Sequence, residues 1–145
     1  MNEIRRSFLY PREIEKHKKY GASFLSSPVI KPDGDWRKSP PPYEEQRRFD
    51  LDPSTCFIFA QTHTDATIEE AIFGEIDNDY AERFTAQFAG GTPSGGDPLR
   101  GANAIYDNGL VKEKSMPHTS DLSSWNEYMS WKGVDRGKII AEGKA

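Results

Sequence analysis

The sequence predicts a mostly α-helical domain preceded by a long extended N-terminal arm. Three observations predict it. Residues 1–48 are interrupted by Pro11, Pro28, Pro32 and the Pro40-Pro41-Pro42 triplet, which favour extended and turn structure over a packed core. Later, Asp52-Pro53 and Asp97-Pro98 repeat one signal for a helix start, an N-cap residue followed by proline. Behind those signals apolar residues recur three and four positions apart, the period of a helix face.

Composition limits what such a chain can be. Its 145 residues make one domain at most. The apolar fraction of 35% is below the roughly 45–50% (glycine included) of a typical domain, and the mean hydropathy is −0.78. The core is therefore expected to be thin and the surface segments long. No run of 18 apolar residues exists to span a membrane. Met1 to Arg6 lacks the apolar stretch of a secretion signal. The single cysteine excludes an internal disulfide and fits a reducing compartment, or a particle assembled in one.

Charge is unevenly spread. Residues 1–48 carry 11 Lys/Arg and 7 Asp/Glu; residues 49–145 carry the other 8 and 16. The basic part is expected to dock on the acidic part or on an acidic partner. It lacks the interleaved aromatic and basic residues of an RNA-binding surface, so nucleic acid is not an expected partner.

Along the arm, Pro11 to Tyr20 predicts a short polar helix, and the proline triplet a stiff polyproline spacer. Phe8, Leu9, Phe24, Leu25, Val29, Ile30 and Trp36 are scattered, and suit pinning the arm onto the body or onto a neighbouring subunit. The body, residues 49–145, opens with a helix capped by Asp52, with Pro53 in its first position, ending at Gly74. Its run from Cys56 to Ala60 is apolar all round, the pattern of a central helix. Asn78 or Asp79 can cap a second helix, with Tyr80, Phe84 and Phe88 on its core face. A loop from Gly90 to Gly96 follows. A third helix starts at Asp97-Pro98, shows Leu99, Ala102, Ile105 and Tyr106 on one face, and stops at Asn108-Gly109. Leu110-Val111 suits a short strand, Ser115-Met116-Pro117 a turn, Trp125 to Trp131 a brief aromatic helix, and Asp135 onward the start of another helix.

Chemistry centres on Cys56. Placed at a helix start, a thiol meets the positive end of the helix dipole and exposed N–H groups, which favour negative charge. The alternative is a buried small residue on a core helix, the common fate of a free cysteine. No metal-ligand spacing is present, since one cysteine and the dispersed His17, His63 and His118 form no set. Gly90-Gly91 precedes no Gly-Lys-Ser/Thr, so no phosphate loop exists, and no cofactor is expected.

The order of the motifs carries a family likeness. A cysteine helix is followed by Tyr80-Ala81-Glu82-Arg83-Phe84, a loop ending in Gly95-Gly96, a helix, Asn108-Gly109 and Met116-Pro117. Over roughly residues 36–145 this resembles the helical left-hand domain of papain-like cysteine peptidases. It is most similar to peptidase-like proteins encoded by bacteriophages. The resemblance implies that Cys56 is the nucleophile, with its N–H as one oxyanion donor. It also implies that the backbone of Gly95 and Gly96 pairs with an extended substrate. Several positions depart from the pattern. Thr55 precedes Cys56, and Phe57 replaces the usual tryptophan. Asp50 stands where the family has its oxyanion glutamine, leaving Gln46 as a candidate donor only if the intervening loop differs in length. The family's histidine lies roughly 130–150 residues after its cysteine. Of these 145 residues, 89 follow Cys56. The right-hand barrel with its histidine and asparagine is thus expected to be missing, and the helical domain to be incomplete at its C-terminus.

Two functions follow. One is peptide-bond hydrolysis through a Cys56 thioester by a cysteine peptidase or its N-terminal part, inactive if no base is supplied. The other is a non-enzymatic phage virion or assembly protein that binds other virion proteins through residues 1–48. Either implies the host cytoplasm during assembly, or the virion.

Overall fold

The computed structural model describes residues 45–74 and 77–145. The expected helix at Pro11–Tyr20, the proline triplet and His17 lie outside the described residues. Within them the chain is mostly helical. The helices are α1 (Cys56–Phe73), α2 (Glu82–Ala89), α3 (Pro98–Asn108), α4 (Trp125–Tyr128) and α5 (Arg136–Gly143), with a 3-10 turn at Glu113–Ser115.

Two starts match the sequence signals and two do not. Asp97 caps α3 by accepting the Leu99 N–H at 2.9 Å, with Pro98 in the first turn. Asp135 caps α5 through the Lys138 N–H. By contrast, α1 begins at Cys56 with Thr55 as N-cap, not at Asp52-Pro53. Asp52 spends its carboxylate on the N–H of Ser54 (2.9 Å), a local turn that competes with helix. Ser54 then takes a left-handed φ of 53°, which no helical turn contains. Likewise α2 starts at Glu82, because Asn78 and Asp79 are engaged elsewhere. Asn78 donates its side-chain amide to Ala66 O of α1 (2.7 Å), and Asp79 O accepts from Glu113 N. The expected strand at Leu110-Val111 is reduced to one isolated bridge, Tyr80 to Lys112, closed by Ala81 N–H on Val111 O (2.8 Å).

The core has two apolar clusters that meet at half-buried Phe88. Phe57 and Ile58 of α1 join Ala86 and Ala89 of α2, Ala104, Leu122 and Tyr128 in one. Phe84 joins Ala81, Val111, Met116 and Ile139 in the other, with Trp131 edge-on to Phe84 and Phe88. The central helix is therefore α2, not α1. Glu82 through Ala86 are all buried, although three of the five are polar. Only Phe57, Ile58, Thr62 and Ala66 of α1 are buried. Helix α5 closes over the second cluster at a backbone crossing. A Cβ at Gly143 would stand 2.7 Å from the Phe84 ring, and one at Gly109 would stand 1.7 Å from Gly143 O.

Candidate functional site

The segment before α1 is folded back on itself. Arg48 and Leu51 exchange backbone hydrogen bonds (3.2 and 2.9 Å) across a turn whose two middle residues, Phe49 and Asp50, both have left-handed φ. This turn brings Gln46 to Asp52, where its side-chain amide donates to Oδ1 at 2.5 Å. Gln46 thus lies beside the run into α1, but its amide is held by a carboxylate.

Cys56 is the first residue of α1 and is half-buried. No side chain caps this helix start. The N–H groups of Cys56 and Phe57 stand at the head of the helix, ahead of its intrahelical bonds. Phe57, by contrast, is buried and turns toward the glycine loop. A Cβ on Gly96 would lie 2.2 Å from Cζ of Phe57, so only glycine permits this approach. The ring thereby joins the two parts of the site that lie 40 positions apart in sequence.

Gly95 and Gly96 are both buried bridge residues. Gly95 and Thr92 exchange backbone hydrogen bonds (2.8 and 2.9 Å), and the Thr92 hydroxyl also donates to Gly95 O. The backbone of Gly96 is likewise engaged within the fold.

The two described histidines pack against aromatic rings. His63 lies along α1 with its ring against Phe59, its pKa lowered by burial against the raising effect of Asp79. His118 is buried edge-on between Phe49 and Tyr128, at 5.8 and 5.1 Å between ring centres. Burial, with Arg48 and Arg83 nearby, pushes its pKa down to about 4. At neutral pH it is an uncharged ring.

A buried polar network lies beneath the site, and sequence reasoning missed it. Glu82 accepts from the Thr62 hydroxyl at 2.7 Å, and burial raises its pKa to about 7. Glu113 takes Arg48 at 3.2 Å and the His118 N–H at 3.1 Å. Among the described residues no carboxylate is hydrogen-bonded to the Arg83 guanidinium. It donates to four carbonyls, those of Pro117, Tyr128, Ser130 and Lys132, at 2.8–3.3 Å. The sequence carried no signal for this. Periodicity put Glu82 and Arg83 off the face defined by Tyr80, Phe84 and Phe88, and polar residues off such a face read as solvated.

Among the described residues no group of three or more His, Cys, Asp or Glu is arranged to hold a metal, and no helix is long and apolar enough to cross a membrane. No family model, curated protein or solved structure matches the chain.

Proposed function

We propose that this chain is the nucleophile-bearing, left-hand part of a papain-like cysteine peptidase. The observation that carries the reading is the contact of Phe57 with Gly96, which sets the head of the cysteine helix beside the glycine loop. In the proposed reaction the Cys56 thiolate adds to the peptide carbonyl. The developing oxyanion takes hydrogen bonds from the N–H groups at the head of α1. The amine leaves with a proton, and water hydrolyses the thioester and restores the thiol. The acid–base partner comes from outside the described residues. Gln46 serves as a second oxyanion donor only after release from Asp52.

A peptidyl epoxysuccinate probe tests this on the full chain. Native protein is expected to be alkylated at Cys56 faster than the same chain in urea, and any peptide or self-cleavage to vanish in Cys56→Ser. Equal alkylation of native and unfolded chains, or equal cleavage by the variant, overturns the reading.

The lack of a described base on Cys56 favours a second reading. In it, this is a particle protein of the same fold that binds extended segments without cleaving them. Slow native alkylation, with loss of particle incorporation on deleting residues 1–45, is its expected signature.

A further inference from the structure

A cavity of about 360 Å³ lies between the C-terminal end of α2 and one face of α3. Its floor is apolar, made by half-buried Phe88 and buried Ala89 of α2 and buried Ala104 of α3. Phe84 and Trp131 hold the Phe88 ring edge-on, with ring centres 5.3 and 6.1 Å away, so the floor is already formed. A preformed apolar hollow of this size, toward the lower end of the roughly 300–1,000 Å³ of small-molecule sites, suits a small ligand held by a few polar groups.

Two opposite charges stand at its ends. Arg100 and Asp107 both line the cavity and lie two turns apart on α3, about 10 Å along its axis. The Arg100 guanidinium leans over the end of α2, where a Cβ built on Gly90 would stand 3.4 Å from Nη1. Both charges are set against the dipole of their own helix, the cation in its first turn and the anion in its last. No partner on α3 explains them. Between the two, the positions at pairing distance hold Asn103 and Ala104. Asp97, three residues before Arg100, caps the helix through the Leu99 N–H. Among the described residues neither Arg100 nor Asp107 takes part in an ion pair. The stability of α3 therefore does not account for their placement.

An apolar floor with a cation at one end and an anion at the other matches a zwitterion with an apolar middle. Three extended residues span about 10 Å, the separation of the two charges along α3, whereas one amino acid spans a third of it. We propose that this cavity binds a short apolar peptide of two or three residues by its free ends, the carboxylate on Arg100 and the ammonium on Asp107. The planar guanidinium takes the carboxylate through two parallel hydrogen bonds and so fixes the direction of the peptide. Cys56, Gly95 and Gly96 are not among the described residues that line the cavity, and the proposal does not depend on the chemistry of Cys56.

The test titrates the 15N-labelled full chain with the tripeptide Ala-Leu-Ala and follows the amide resonances. Saturable shifts are expected at Gly90, Ala104 and Asp107 with millimolar peptide. Amidating the carboxyl end of the peptide, or acetylating its amino end, is expected to weaken binding about tenfold in each case. Arg100→Gln is expected to bind the free acid and the amide alike, and Asp107→Asn the free and the acetylated amine alike. Both side chains are exposed, so each variant is expected to keep the native amide spectrum outside the cavity. Cys56→Ser is expected to bind the peptide as the native chain does, which separates this site from the proposed peptidase reaction. Equal binding of free and blocked peptides to the native chain would overturn the proposal and leave an apolar hollow that does not read the peptide ends. No shifts with millimolar peptide, shifts confined to Cys56 and Gly96, or loss of binding in Cys56→Ser would overturn it as well.

Discussion

At Glu82 a carboxyl is buried on the inner side of α2 with one hydroxyl, that of Thr62, bonded to it. Burial raises its pKa to about 7, against the smaller lowering effects of the Thr62 bond, its own backbone N–H and Arg48. The folded chain therefore holds this proton more tightly than the unfolded one, whose glutamate titrates near 4.5. Its contribution to stability is fully present below the unfolded value and is lost as pH rises to about 7. His118, with a lowered pKa, gives the opposite slope between about 4 and its ordinary 6.5, so the effect of Glu82 is isolated by a difference. Glu82→Gln retains an acceptor for Thr62 and removes the charge. Denaturant unfolding is expected to find it more stable than wild type at pH 8 by on the order of 3 kcal/mol, and about equal at pH 4.5. Equal stability at both pH values would show that Glu82 is solvated.

The same scale explains what a reading of residues can reach. Cys56 was legible because proline, an apolar run and a lone thiol coincide in a few positions. The role of Asp52 was not, because an aspartate before a helix has two uses. Here Ser54 N and Gln46 take the carboxylate that a cap would offer to the helix. Arg83 was not legible at all, since its four carbonyl partners lie 34–49 positions away.

Elements were recoverable wherever the signal was local. The Gly74 stop of α1, the Asp97 start and Gly109 stop of α3, and the Asp135 start of α5 each depend on one or two residues and on backbone chemistry that tertiary contacts do not override. The start of α2 was misplaced because Asn78 serves a neighbouring helix rather than its own. Asp97 offers the cleaner test of a cap. Asp97→Ala removes the acceptor of Leu99 N–H and is expected to cost about 1 kcal/mol, measured as a lowered denaturation midpoint at unchanged slope. Asp97→Asn is expected to recover most of it. A loss equal in both variants would mean that the charge, not the cap, matters.

Across the whole molecule, helical class and the linear order of helices were legible, and the layering was not. An apolar run made α1 look central, yet only four of its residues are buried, while Glu82 through Ala86 of the polar α2 are all buried. Enclosure of a polar helix depends on distant groups that satisfy it, and no periodicity encodes those. The closure by α5 is similarly non-local. Gly143 lets the last helix cross Phe84 and the backbone near Gly109 in direct contact. Gly143→Ala is expected to lift α5 from the second cluster. Native-state hydrogen exchange of the Arg136–Gly143 amides would then quicken at least tenfold, an opening easier by ~1.4 kcal/mol. Unchanged protection would mean that the crossing relaxes at little cost.

The enclosure of α2 also bears on the order in which this chain folds. Glu82 is satisfied by Thr62, 20 positions earlier, and Arg83 by carbonyls 34–49 positions later. Until both flanks are in place, burying these groups is unfavourable, because a polar group taken out of water without its partner costs several times what the finished bond returns. The helix at the centre of the structure is therefore the last to lock in. Most of the loop-closure entropy must be spent before it does, which gives this small helical chain the slower folding of a fold rich in distant contacts.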